Sequence, residues 1–170
     1  MKAKVAIAAL TPAIIVPADI ITKRWALATL VPGESIPVAG GLLDFTLTFN
    51  QGAAFSMYLG EFSRWIFLAL SVVAIVVLAV MFRSTPPGDR VRLLSLALIA
   101  AGAGGNLIDR VRWAGGVVDF IGPLDLGFMD FPIFNVADMA ITCGAALLLI
   151  SLLREPGREP RTDGAVDRST

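Results

Sequence analysis

From Phe134 to Leu153 the chain reads Phe-Asn-Val-Ala-Asp-Met-Ala-Ile-Thr-Cys-Gly-Ala-Ala-Leu-Leu-Leu-Ile-Ser-Leu-Leu. After Asp138 no charged side chain occurs before Arg154. At about 1.5 Å per residue this run is long enough to approach the thickness of a bilayer. Its one ionisable group lies a turn from its start. Asn135 is placed to cap the helix, and Asp138 then stands third in it, near free backbone N–H groups. Capping is one reading of Asp138; a carboxylate at membrane depth costs a few kcal/mol where Ser or Thr would serve as a cap, so a functional role is the preferred reading.

Three more segments share this character: Val5 to Leu30, Trp65 to Phe82 and Leu93 to Ile108. The first and third reach spanning length only by including Asp19 and Lys23, or Asp109 and Arg110. Of the 170 residues, 56% are hydrophobic and 16% charged, and the mean hydropathy is +0.76. A soluble domain carries about 25% charge, so the charges here are both sparse and clustered. The expectation is a mainly α membrane protein: four transmembrane helices, a small extracytoplasmic β-sheet between helices 1 and 2, and an extracytoplasmic loop between helices 3 and 4. Residues 1–153 form one domain, and residues 154–170, polar with Pro and Gly, form a disordered cytoplasmic tail. Lys2 and Lys4 precede an apolar run with no lipoprotein-type Cys after it, so this run is read as a retained first helix rather than a cleaved leader.

Lys2 and Lys4, then Arg83, Arg90 and Arg92, then Arg154, Arg158 and Arg161 fall on one side of four spans. The positive-inside rule makes that side cytoplasmic, with both termini there. The ionisable ends of spans one, three and four point the other way, so a polar site near the extracytoplasmic interface is expected. Net charge is zero, which gives no field for nucleic acid. The chain has no His and one Cys, Cys143. That removes His-based triads, His metal sites and internal disulfides; no cofactor or metal is expected, and Cys143 is read as a small packing residue.

Phe45, Leu47 and Phe49 alternate with Thr46, Thr48 and Asn50, the period of a strand. Val111 to Phe134, rich in Gly and Pro, is read as loop or short strands, able to act as a lid. Ala101-Gly102-Ala103-Gly104-Gly105 suits close helix packing. Asn106, Asp109 and Arg110 share a helix face, where they form either an interfacial anchor with a local ion pair or part of a site. Asp19 and Lys23 are spaced i, i+4, acid first, as a helix ion pair. Asn50-Gln51-Gly52 is either a hairpin turn or a backbone that a substrate can approach closely. Two carboxylates brought together can share a proton, one activating water and the other protonating a peptide carbonyl. Asp138 is one; the residues alone do not choose among Asp119, Asp109, Asp125 and Asp130 for the other.

Four blocks, taken in order, resemble those of signal peptidase II. They are Asn50-Gln51-Gly52-Ala53-Ala54-Phe55, Gly105-Asn106-Leu107-Ile108-Asp109-Arg110, Val117-Val118-Asp119-Phe120-Ile121 and Phe134-Asn135-Val136-Ala137-Asp138. The resemblance covers roughly residues 1–153. It implies an aspartic endopeptidase of the bacterial inner membrane with Asp119 and Asp138 as the catalytic pair. Asn50, Gly52, Asn106, Arg110, Asn135, Asp19 and Lys23 would hold substrate or orient the pair. The implied substrate is a prolipoprotein whose Cys carries diacylglycerol, cut on the N-terminal side of that Cys, and the implied unit is a monomer in lipid. The chain departs from the family pattern at Ile20, where a Gln is usual, and at Met139, where a smaller residue is common and altered packing beneath the site is expected.

The Gly-x-Gly-Asp motif of presenilin-like and prepilin peptidases is absent. A small transporter using Asp19, Asp109 and Asp138 as an ion relay would need a polar path through the cytoplasmic half of the spans, and that half offers no polar relay.

Overall fold

The computed structural model describes residues 1–41, 43–52, 62–125, 127 and 130–154. The expected tail beyond Arg154, and Ala53 to Phe55 of the first motif, lie outside these. Four long helices are present: α1 (Lys2–Thr29), α2 (Ser63–Ser84), α3 (Arg90–Arg112) and α4 (Val136–Leu153). All four are long and apolar enough to cross a membrane. Each expected span is found, and α3 runs on past Ile108 to carry Asp109 and Arg110 in its last turns.

The third helix is the axis of the bundle, packing against α4, α1 and α2. It is the least apolar of the four and the most buried, while α2 is the most apolar and buries nothing in its apolar window. That inversion follows from the solvent. Lipid is as apolar as leucine, so helices associate through close backbone approach rather than through a hydrophobic stripe. Gly102 and Gly105 provide the approach. A Cβ at Gly102 would strike the Ala137 carbonyl oxygen of α4, and one at Gly105 would lie 2.7 Å from an Asp19 carboxylate oxygen of α1. Gly104 has open space around it. Replacing Gly102 by Val is therefore expected to lower stability by about 1–3 kcal/mol, and Gly104→Val by less than about 0.5 kcal/mol. Thermal unfolding of the two variants in one detergent checks this; equal melting temperatures would refute the close α3–α4 contact.

Both helix connections at one end of the bundle contribute to a sheet. Strand β1 (Ser35–Val38) pairs antiparallel with β2 (Leu43–Asn50), and β2 pairs antiparallel with β3 (Val117–Ile121). The third strand comes from the segment read as loop or short strands. A separate two-stranded ribbon joins β4 (Leu124–Asp125) to β5 (Asp130–Phe131). Between Phe45 and Thr48 the register of β2 against β3 shifts by one residue, a bulge. Beyond it Thr48 lies opposite Asp119 and Asn50 opposite Val117, so those four side chains share a face. The other face of the sheet buries Leu47, Val118 and Phe120 on Ala26 and Leu30 of α1, with Trp25 edge-on to Phe45 and Phe120. The sheet is thus fastened to the end of α1, and it presents Asp119 to the bundle.

Trp25, Trp65 and Trp113, all partly exposed, stand at this same end of α1, α2 and α3. That is the placement of an interfacial aromatic belt. Arg64 of α2 donates to the carbonyls of Arg110 and Val111 at 2.6 and 3.0 Å, closing the C-terminus of α3.

Candidate active site

The α4 N-terminus is a capping box. Asn135 Oδ1 accepts from the Asp138 backbone N–H at 2.9 Å, and Asp138 Oδ2 accepts from the Asn135 backbone N–H at 3.2 Å. This leaves Asp138 Oδ1, which accepts from Asn106 Nδ2 of α3 at 2.7 Å. Asp138 therefore caps its helix and also faces the inside of the site. The Asn135 amide, fully buried, reaches across to Asp119 Oδ1 at 2.6 Å and to Asn106 Oδ1 at 3.1 Å. One residue thus joins the two carboxylates, Asn135 donating to Asp119 from its side-chain amide and to Asp138 from its backbone N–H.

Asp119 is 2% exposed on β3. Burial first, and then the charge of Asp138, raise its carboxyl from the ordinary 3.8 to about 7. Hydrogen bonds from Asn135 and Asn50, and the charge of Lys23, act in the opposite sense but are outweighed. Among the acids the sequence left open, Asp119 is the one brought to Asp138. Asp125 and Asp130 stand opposite each other in the backbone register of the β4–β5 ribbon.

Asp109 turns the other way, to Lys23. The Lys23 ammonium is buried and has its three donors engaged, by Asp19 at 2.8 Å, Asp109 at 2.8 Å and Asn106 Oδ1 at 3.0 Å. Asp109 Oδ2 also accepts from the Val118 N–H at 3.2 Å, which pins β3 one residue from Asp119. Asp19 Oδ1 accepts from the Ala137 N–H at 2.9 Å, which pins α4 one residue from Asp138. The ion pair expected to be local to α3 is in fact long-range, and Lys23 is its hub. The pair of Asp19 and Lys23 is completed without a polar group at position 20, so Ile20 leaves it intact.

Arg110 is the rim of the site. Its Nη2 donates to the Gly52 carbonyl at 3.0 Å, and its guanidinium lies within electrostatic reach of Asp138 and Asp119. The Gly52 N–H in turn donates to Asn50 Oδ1 at 2.9 Å, an Asx-type turn at the end of β2; β2 pairs with β1 and β3, so among the described residues this turn closes no hairpin. Asn50, Asn106, Arg110, Asp119 and Asp138 all line one cavity of about 770 Å³. Asp19, Lys23 and Asp109 do not line it.

The cavity continues past Met139, Thr142 and Cys143 along α4. Two expectations are corrected here. Cys143 is exposed rather than packed, and Met139 is 48% exposed and borders the cavity instead of filling space beneath the site. Thr48, opposite Asp119, is a lining residue that sequence alone did not flag. The β2–β3 register that brings it there is its only signal.

A model of signal peptidase II matches residues 11–154. The lipoprotein signal peptidase of Geobacter metallireducens is 40% identical over 164 residues, covering 95% of this chain and 99% of the relative. That of Geobacter sulfurreducens is 47% identical over 130 residues, 74% of this chain and 78% of the relative. A bacterial membrane enzyme solved by the in meso method at 2.3 Å resolution superposes with a TM-score of 0.80 at 31% identity, covering 93% of this chain and 94% of the other. With four spans, a buried carboxylate bridged through Asn135 to a half-buried one, and this similarity along nearly its whole length, the chain belongs to the signal peptidase II family, membrane aspartic peptidases that remove signal peptides from prolipoproteins.

Proposed function

We propose that Asp119 and Asp138 are the catalytic pair of this peptidase, acting on a diacylglyceryl-modified prolipoprotein at the bond N-terminal to its lipidated Cys. The observation that carries the assignment is the bridge through Asn135, which holds both carboxylates at one wall of a single cavity. Asp119, raised to about 7, keeps the shared proton. Asp138 takes a proton from a water, which attacks the scissile carbonyl. Asp119 gives its proton to the carbonyl oxygen. When the tetrahedral intermediate collapses, the C–N bond breaks, the amine of the lipidated Cys takes the proton held by Asp138, and the gem-diol proton returns to Asp119. Asn106 and Asn135 orient the pair. Asn50, Gly52 and Arg110 meet the substrate backbone from the sheet side. Asp19 and Lys23 act from behind.

The basic residues at the end opposite the sheet support a reading in which that end, and both termini, face the cytoplasm, and the family supports an inner membrane. The carboxylates then lie near the extracytoplasmic interface, where a precursor anchored in the same bilayer presents its cleavage site. The cavity's extension along α4 gives that anchored segment a lateral way in. One chain supplies all the named groups, consistent with a monomer.

A gel-shift assay with purified protein and lipid-modified precursor, run across pH, tests this reading. Below about 7 Asp119 keeps its proton; above it Asp119 ionises and the proton donor is lost. Cleavage is expected to fall about tenfold per pH unit on an alkaline limb centred near 7, a value belonging to the pair. No cleavage of lipidated precursor, or a profile flat from about pH 6 to 9, would overturn the assignment.

A further inference from the structure

At the end of the bundle away from the carboxylates, α1 and α2 flank α3 and leave a slot between them of about 380 Å³. Pro12 and Val16 of α1 form one wall, Leu78 and Phe82 of α2 the other, and Ala97 and Ala100 of α3 the floor. The lining comes from residues 8–16, 75–83 and 96–104. Each stretch rises about 12 Å. The slot begins where Lys4 ties α1 to α2, donating to the Arg83 and Thr85 carbonyls at 2.8 and 2.7 Å. It therefore runs inward from one membrane surface through less than half of a core about 30 Å thick.

Every residue lining the slot is apolar except Arg83, at its mouth, whose side chain is exposed. Lys4 keeps one N–H beyond its two carbonyl bonds and lies over the Phe82 ring at 5.5 Å. Lys2, Arg90 and Arg92 belong to the same end. A helix about 10 Å across would need roughly 900 Å³ over this length, far more than the slot holds. A single acyl chain is slender enough, and a guanidinium at headgroup depth pairs bidentately with phosphate. Basic pockets between transmembrane helices select anionic headgroups.

We propose that this slot is a binding site for one anionic phospholipid of the leaflet opposite the catalytic pair, with an acyl chain between α1 and α2 and its phosphate on Arg83 and Lys4. The lipid completes the packing of α2, which otherwise rests on α3. The site is independent of the catalytic reading, because none of its residues lines the catalytic cavity.

The test is native mass spectrometry of the full chain released from bilayer discs holding equal phosphatidylglycerol and phosphatidylcholine. Wild type is expected to retain one phospholipid per chain, with phosphatidylglycerol favoured roughly fivefold for each rim cation engaged. Arg83→Gln should retain lipid but lose most of that preference. Ala100→Phe, which fills the floor, should retain several-fold less of either lipid while still cleaving precursor, which also shows that it is folded. If Ala100→Phe fails to fold, Ala79→Phe on the opposing wall takes its place. An unchanged lipid ratio in Arg83→Gln, unchanged retention in the filled variant, or a second copy of the chain bound instead of lipid would each overturn the proposal.

Discussion

Asp119→Asn and Asp138→Asn are each expected to reduce cleavage of a lipid-modified precursor by at least about 10³-fold, since each removes a proton-transfer group that cannot be replaced in place. The two should differ in stability, and the difference separates a catalytic pair from a structural one. Asp119 meets the Asn135 amide through Oδ1, and an asparagine there keeps an oxygen for that bond. Its carboxyl is raised to about 7, above its unfolded value, so the cost of ionising it is absent below the unfolded pKa of 3.8 and complete above about 7. Asp119→Asn removes this cost and should be more stable than wild type at pH 8, by a few kcal/mol at most, with the gap closing as pH falls. Asp138 instead accepts N–H donors on both oxygens, Asn106 on one and the Asn135 backbone on the other. An asparagine has to turn its own NH₂ toward one of them, so Asp138→Asn should lose about 1 kcal/mol. Cleavage assays paired with thermal unfolding at pH 5 and pH 8 measure both effects. Retained cleavage in either variant would remove it from the chemistry, and an Asp119→Asn protein no more stable at pH 8 than wild type would contradict its burial as an acid.

Asp138 and Asn135 were legible as a cap because capping is local: the donor and acceptor lie three residues apart and the chain direction fixes their geometry. Asp119 was legible only through resemblance to a family. Its selection over Asp109, Asp125 and Asp130 depends on the bulge in β2 and on the β2–β3 register, which join segments that are far apart in the chain. The third strand is hidden for the same reason, in a stretch whose glycines and prolines read as turns. Lys23 was readable as the partner of Asp19 one turn away, but not of Asp109 on another helix. Cys143 was misplaced for a different reason. In a bilayer the outer face of a helix is as apolar as its packed face, so hydrophobicity identifies the span without saying which side of it is buried. The small residues of α3 carried that information instead, and the reading of Gly102 and Gly105 as contact points holds.

The largest effect away from the pair is expected at Lys23. Its ammonium touches neither Asp119 nor Asp138, yet it holds the two carboxylates that fix their supports. Asp109 anchors β3 through Val118, and Asp19 anchors the first turn of α4 through Ala137. Lys23→Met keeps a comparable apolar stem and leaves both acids buried without their cation, along with Asn106 Oδ1 short of a donor. Removing one partner of a buried ion pair costs about 3–5 kcal/mol, and loss of both anchors should bring cleavage down by about 10²-fold or more, the scale of a misplacement near 1 Å. Lys23→Arg is not a conservative rescue, because a planar fork cannot point its donors at three acceptors arranged around a single nitrogen. Whatever cleavage Lys23→Met retains should also show its alkaline limb above 7, since the charge of Lys23 is one of the influences holding Asp119 down. Asp109→Asn removes a negative charge from the same cluster and should move that limb the other way. A simple loosening of the fold would lower both activities without shifting the limbs in opposite directions. If Lys23→Met unfolds within about 1 kcal/mol of wild type, or if both limbs stay in place, the hub is packing alone and the orientation of the pair rests on Asn106 and Asn135.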